Sequence, residues 1–288
     1  MDFKPAFFDE EYQRLRALFE SDLRSYFHVI QEDSALRGLE SLAPSFLFES
    51  VSYSLFSGGK RFRPVLALAM ADALRGEVSM IFPWARAIEF VHTYSLIHDD
   101  LPALDNDDFR RGQPTNHKMF GEAAAILAGD GLLTEAFGCL AQAEAAKLPR
   151  LVSLLASTSG LRGMVTGQAM DIRLSSRGAI NKKHLLHIHE LKTARLIQAS
   201  CEGAALLLGA DEMTAASYGQ HLGLSFQIAD DILDKDKQAP QNLVTLMGEC
   251  AAQDLLEYHV DQALQRARKF PHSEFLVQMA LFNLSRKQ

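Results

Sequence analysis

The chain predicts an all-α domain of about ten helices. Apolar residues recur at helical spacings through most of its length, and alternating strand patterns closed by tight hairpins are missing. Glycine and proline fall at the joints, at Gly112/Pro114, Pro149, Gly178, Gly209 and Pro240. With 288 residues, 48% of them hydrophobic, a substantial core can be buried. No repeat, low-complexity tract or long linker divides the sequence, so residues 1–288 read as one domain.

Leu15, Leu18, Phe19, Leu23 and Phe27 set a first helix at spacings of three and four. Val65 to Leu74 is an apolar helix that starts just after Pro64, a residue tolerated in a first turn. Ile88, Val91, Tyr94 and Ser95 belong to a helix that stops near Pro102. Further helices are expected over 121–146, 150–173, 181–208, 213–235, 250–268 and 273–284.

Charge and composition exclude several roles. Lys+Arg number 29 against Asp+Glu 36, a net −7 that argues against a general nucleic-acid binder and offers no attraction to an anionic membrane. Cys139, Cys201 and Cys250 are scattered with no CxxC, which fits a reduced cytoplasmic protein without disulfides or a zinc knuckle. The start, Met-Asp-Phe-Lys-Pro, lacks a signal-peptide layout. No uninterrupted apolar run approaches the ~20 residues of a membrane span, so a soluble protein without a membrane anchor is expected.

Two aspartate groups carry the chemistry. Gln227, Asp230, Asp231 and Asp234 fall at i, i+3, i+4 and i+7 and share one face of an otherwise apolar helix. Like charges this close repel unless a cation relieves them. In the first group, Asp99 and Asp100 end a helix, where the dipole disfavours negative charge. Pro102 breaks that helix and lets Asp105 turn back, while His92 lies on the same side as Asp99. Arg110, Arg111 and Gly112 follow at once. Carboxylates beside guanidinium groups suit a polyanion such as diphosphate, held through a hard cation, Mg²⁺ or Mn²⁺, rather than zinc.

A second anion-binding segment, Ser57-Gly58-Gly59-Lys60-Arg61-Phe62-Arg63-Pro64, offers backbone amides and three cations before a helix. It is not a Walker A loop, because neither serine nor threonine follows Lys60. His189-Glu190-Leu191-Lys192-Thr193 is not HExxH, and His184, His187 and His189 are expected on a helix surface.

In order along the chain, Gly58 to Pro64, His92 to Gly112, Gly163 to Gln168 with Asp171, Lys192-Thr193, and Phe226-Gln227 to Asp234 resemble the trans-isoprenyl diphosphate synthases, and among them the bacterial farnesyl type. The resemblance covers most of residues 50–235. It implies a helical bundle around a central cavity, a homodimer, and Mg²⁺-dependent condensation of isopentenyl diphosphate with dimethylallyl or geranyl diphosphate. Carried over by position, Asp99, Asp105 and Asp230 would ligate the metal, with Asp100 and Asp234 behind them. Arg110, Lys192, Thr193 and Gln227 would hold the allylic diphosphate, with Lys192, Gln227 and Arg110 nearest the chemistry. Lys60, Arg63, His92 and Arg111 would hold isopentenyl diphosphate. Tyr94 and Ser95 would form the floor that limits chain length, and a bulky Tyr94 favours a C15 product.

The pattern departs from the family after Asp234. A longer loop containing Gly-Lys-x-x-Gly-x-Asp and a further lysine is expected there, but Lys235 to Gly248 arrives early without it. Two diphosphate-contacting lysines have no clear counterpart, and Lys235 and Lys237 are the nearby candidates to replace them. Two alternatives stay open: a geranylgeranyl diphosphate synthase, and a weakly active or non-catalytic prenyl-diphosphate binder.

Overall fold

A computed structural model describes residues 2–32, 44–175, 181–237 and 242–286. The expected joints at Gly178 and Pro240, and the side chain of Lys237, lie outside the described residues. Helix α1 (Pro5–Gln31) has Pro5 in its first turn, where a missing N–H breaks no bond. It buries Leu15, Phe19, Leu23 and Phe27 at every fourth position, while Leu18, expected on that face, is 43% exposed. After α2 (Pro44–Leu55) comes α3 (Phe62–Ala73), which begins before Pro64 rather than after it. Arg61 precedes it in the left-handed region, φ 52°.

Helix α3 is buried almost all round, as its apolar run from Val65 to Ala71 requires, and so is α4 (Phe82–Asp99). Around them lie α6 (Glu122–Leu140), reached through the short α5 (Asn116–Phe120), and later α10 (Arg195–Leu208) and α11 (Glu212–Leu233). Trp84 Nε1 donates to the Ala199 carbonyl at 3.0 Å and ties α4 to α10. Tyr218 does the same between α11 and α14 (Glu274–Ser285), its hydroxyl 2.8 Å from the Leu276 carbonyl. Both rings are fully buried with their one donor satisfied, the condition for placing Trp or Tyr in a core.

Several boundaries differ from expectation. The stretch 150–173 is two helices, α7 (Leu148–Ser159) and α8 (Met164–Ser175), divided by a turn at Gly160 to Gly163. The stretch 181–208 is α9 (Lys182–Ile188), a π-helical turn (His189–Ala194) and α10. Beyond α11 lie α12 (Leu243–Met247) and α13 (Glu249–Ala267). A small antiparallel hairpin is also present: β1 (Phe109–Arg110) pairs with β2 (Gln113–Pro114). Among the described residues α6 is the one helix long and apolar enough to cross a bilayer. Glu122, Asp130 and Glu135 interrupt it, and Ala124, Ala125, Ala128 and Gly129 are buried in the protein.

Candidate active site

The end of α4 sets the site. Its 18 residues carry His92, Tyr94, Ser95 and Asp99 to the wall of one cavity of about 400 Å³. The chain then turns so tightly that the Asp105 N–H donates to the Asp99 carbonyl at 2.8 Å. Pro102 ends the helix and the two carboxylate-bearing residues meet, as the sequence implied.

The hairpin parts the two arginines. Arg110 lies in β1, whereas Arg111 (φ 53°) and Gly112 (φ 76°) form a two-residue turn with both φ positive, the geometry that suits a twisted hairpin. Arg110 Nε donates to both Asp100 oxygens, at 2.7 and 2.9 Å. Asp100, 3% exposed, is therefore buried in a forked pair whose carboxylate anchors the Arg110 guanidinium. Arg111 turns the other way and donates to the Gly58 carbonyl and, at 3.4 Å, to Ser57 Oγ.

The second basic segment is not three equivalent cations. Arg61 is buried, pairing with Glu20 at 2.7 Å and Glu89 at 2.5 Å and donating to the Leu55 carbonyl at 2.5 Å. It holds the segment in shape and is unavailable to a ligand. Lys60 is exposed, and Arg63 Nη1 lies 3.4 Å from His92 Nε2 at the cavity wall. Burial lowers the Arg63 guanidinium to about 10, against the pull of Glu89 and Asp230. Burial and the surrounding arginines push His92 well below its usual range, so its ring is neutral.

Opposite α4, the π-helical turn presents Lys192 and Thr193 to the same cavity. One extra residue in a helical turn is a recurrent device at functional sites. Lys192 Nζ donates to Asp171 Oδ2 at 2.6 Å, and Thr193 Oγ1 donates to Gln227 Oε1 at 2.9 Å. Gly167 of α8 lies against the Lys192 backbone, so closely that a β-carbon would sit 2.4 Å from the amide nitrogen. Gln168, next along, lines the cavity, and both its amide atoms are buried without a hydrogen-bond partner. The Asp171 contact is not readable from spacing, since its partner Lys192 sits in the π-helical turn.

The second aspartate group divides. Asp231 is buried: its Oδ2 accepts from the Leu243 N–H at 2.9 Å, and its carbonyl accepts from Asn242 at 2.7 Å. It fixes the start of α12 instead of facing a ligand. His189, expected at the surface, is buried with Nε2 3.6 Å from Asp231 Oδ2; His184 and His187 are exposed as expected. Asp230 pairs with Arg286, which sequence reasoning did not find, 56 residues away, and lies within reach of the Lys60 and Arg63 charges. Asp234 ends α11, exposed, with its N–H on the Asp230 carbonyl at 2.9 Å.

Asp99, Asp105 and Asp230 offer hard carboxylate oxygens, the donors that Mg²⁺ and Mn²⁺ prefer. Among the described residues no three carboxylate, imidazole or thiolate groups converge as a finished metal cage. The turn after α4 brings Asp99 and Asp105 together, while Asp230 lies on α11, paired with Arg286. Burial pushes the Asp99 carboxyl up to about 6, Lys192 opposes, and the Asp105 charge adds to the rise. Burial likewise raises Asp230 against Arg286. Carboxylates held at this cost fit a divalent cation, which would reverse it.

A polyprenyl synthetase family model matches residues 44–268. The farnesyl diphosphate synthase of Geobacillus stearothermophilus is 42% identical over 263 residues, covering 82% of this chain and 87% of that protein. A heterodimeric geranylgeranyl pyrophosphate synthase large subunit from Arabidopsis thaliana is 43% identical over 270 residues, covering 86% and 71%. The crystal structure of an FPP/GFPP synthase from Zymomonas mobilis superposes with a TM-score of 0.82 at 31% identity, covering 94% of this chain and 99% of that one.

Proposed function

The chain belongs to the polyprenyl synthetase family, and from that premise we propose that it is a farnesyl diphosphate synthase acting as one domain over residues 1–288. One observation carries the reading. Asp99, Arg63, His92, Lys192 and Thr193 line the same cavity as Tyr94, Leu104, Met164 and Ile172. A diphosphate suits the first set and a prenyl chain the second.

The residues divide the work. Lys192, Thr193, Gln227 and Arg110 hold the allylic diphosphate, and Lys60, Arg63, His92 and Arg111 hold isopentenyl diphosphate. Mg²⁺, or Mn²⁺ in its place, held by Asp99, Asp105 and Asp230, would neutralise charge on the departing diphosphate. As the allylic C–O bond breaks, Lys192 and Arg110 meet the negative charge where it develops, a large catalytic contribution. Asp171 and Asp100 keep those two cations in place. The isopentenyl double bond then attacks C1 of the allylic cation. The proton lost goes to the departing diphosphate, and His92, its basicity lowered by burial and the arginines around it, is a binding group. The apolar wall keeps water from the cation.

Tyr94 and Ser95 line the cavity on consecutive positions of α4, and Tyr94 is 6% exposed. A ring there stops the chain at C15. A cytoplasmic homodimer is part of the same reading. It is supported by three cysteines free of disulfides and by Ile126 and Leu127 on the outer face of α6, 44% and 56% exposed. The test is incubation with Mg²⁺, labelled isopentenyl diphosphate and either dimethylallyl or geranyl diphosphate, followed by product sizing. C15 is expected from the wild type and longer products from Tyr94→Ala. No incorporation with either primer by folded protein would refute the enzyme reading, and a main C20 product from the wild type would favour a geranylgeranyl synthase.

A further inference from the structure

Arg286, just past α14, makes three contacts at once. Nη2 donates to Asp230 Oδ1, Nη1 donates to the Phe226 carbonyl at 3.3 Å, and the guanidinium lies 4.4 Å from the Phe226 ring centroid. Its side chain is 10% exposed. A guanidinium stacked and forked in this way is held, since little side-chain freedom remains to be lost.

The position matters more than the pairing. Phe226 packs on Phe62, ring centroids 5.2 Å apart, and Phe62 stands between Arg61 and Arg63 in the basic segment. The Asp230 charge also feels Lys60 and Arg63. Arg286 is therefore joined to the proposed metal ligand Asp230 directly and to the basic segment through Phe226 and Phe62.

We propose that Arg286 is a stand-in for the metal: it neutralises Asp230 while no divalent cation is bound and yields the carboxylate when one arrives. Its charge then passes to the diphosphate beside Lys60 and Arg63, in the role of the missing lysines. The inference rests on the reading of Asp230 as a metal ligand. It makes Arg286 a positioning residue in the metal-free protein and a diphosphate-binding residue in the loaded one.

The test is a titration with Mn²⁺ alone, read by the electron paramagnetic resonance signal of the free ion. The proteins are wild type, Arg286→Gln, Asp230→Asn and the double variant. Arg286→Gln is expected to bind Mn²⁺ at least threefold more tightly than wild type, and the double variant no more tightly than Asp230→Asn. At saturating Mn²⁺, Arg286→Gln should bind inorganic pyrophosphate at least threefold more weakly, with Arg286→Lys intermediate. Unchanged Mn²⁺ affinity in Arg286→Gln, with or without a lowered melting temperature, would overturn the proposal and leave Asp230 as a ligand. Equal Mn²⁺ binding by Asp230→Asn and wild type, in both backgrounds, would instead remove Asp230 from the metal site.

Discussion

Gly167→Ala is a one-carbon test of whether the π-helical turn must sit where it does. The added carbon would lie 2.4 Å from the Lys192 nitrogen, 2.8 Å from its Cα and 2.9 Å from the Leu191 carbonyl carbon. All three are backbone atoms, so no side-chain rotation relieves the contact. Ordinary carbon contacts lie near ~3.5 Å, so α8 and the turn must separate by about 1 Å. Overpacking of this kind costs ~1–3 kcal/mol, and alanine's better helix propensity returns about 1 kcal/mol. Net destabilisation should then be roughly 0–2 kcal/mol. The displacement falls on Lys192 and Thr193, and a shift of about 1 Å in groups that position a substrate costs on the order of 100-fold in rate. That loss is worth about 2.7 kcal/mol of transition-state stabilisation, more than the change in stability. Thermal unfolding and kcat/KM measured side by side check it. A folded variant with kcat/KM within threefold of wild type would refute the reasoning.

Arg61→Ala should act on stability instead. It leaves Glu89, 2% exposed, without its partner, and removal of one member of a buried pair costs ~3–5 kcal/mol. Urea unfolding is the measurement, and a loss below about 1 kcal/mol would refute the structural role given to Arg61. The Asp99 carboxyl, raised to about 6 mainly by burial, makes metal binding pH-dependent. Below that value a proton competes, so Mn²⁺ affinity should fall ~10-fold per pH unit and level off above it. In the metal-free protein the sign is the reverse: the stability that Asp99 contributes is complete below its unfolded value of about 4 and lost as pH rises through 6. Mn²⁺ titrations between pH 5 and 7.5 decide the first point, and a flat profile would count against it.

The range of each interaction decides whether the sequence reveals it. Leu15, Phe19, Leu23 and Phe27 mark a buried face because helical repetition is local, and Asp99 meets Asp105 because six residues and a proline suffice to bend the chain. The π turn left no trace, since one extra residue within a continuous apolar pattern does not change the pattern. Arg61 read as a ligand-binding cation because its partners, Glu20 and Glu89, lie 41 and 28 residues away. Asp231 read as one of a row for the same reason: only the folded chain brings Leu243 and Asn242 back to it.

The Asp231 anchor separates the length of the segment after α11 from the stability of α12 and α13 beyond it. Because α12 is fastened at Asn242 and Leu243 to the helix it left, residues between Lys237 and Asn242 can be added or removed while both fastened ends stay in place. Each doubling of such a segment costs only about 0.6 kcal/mol of closure entropy. Its length can therefore change without disturbing the scaffold on either side.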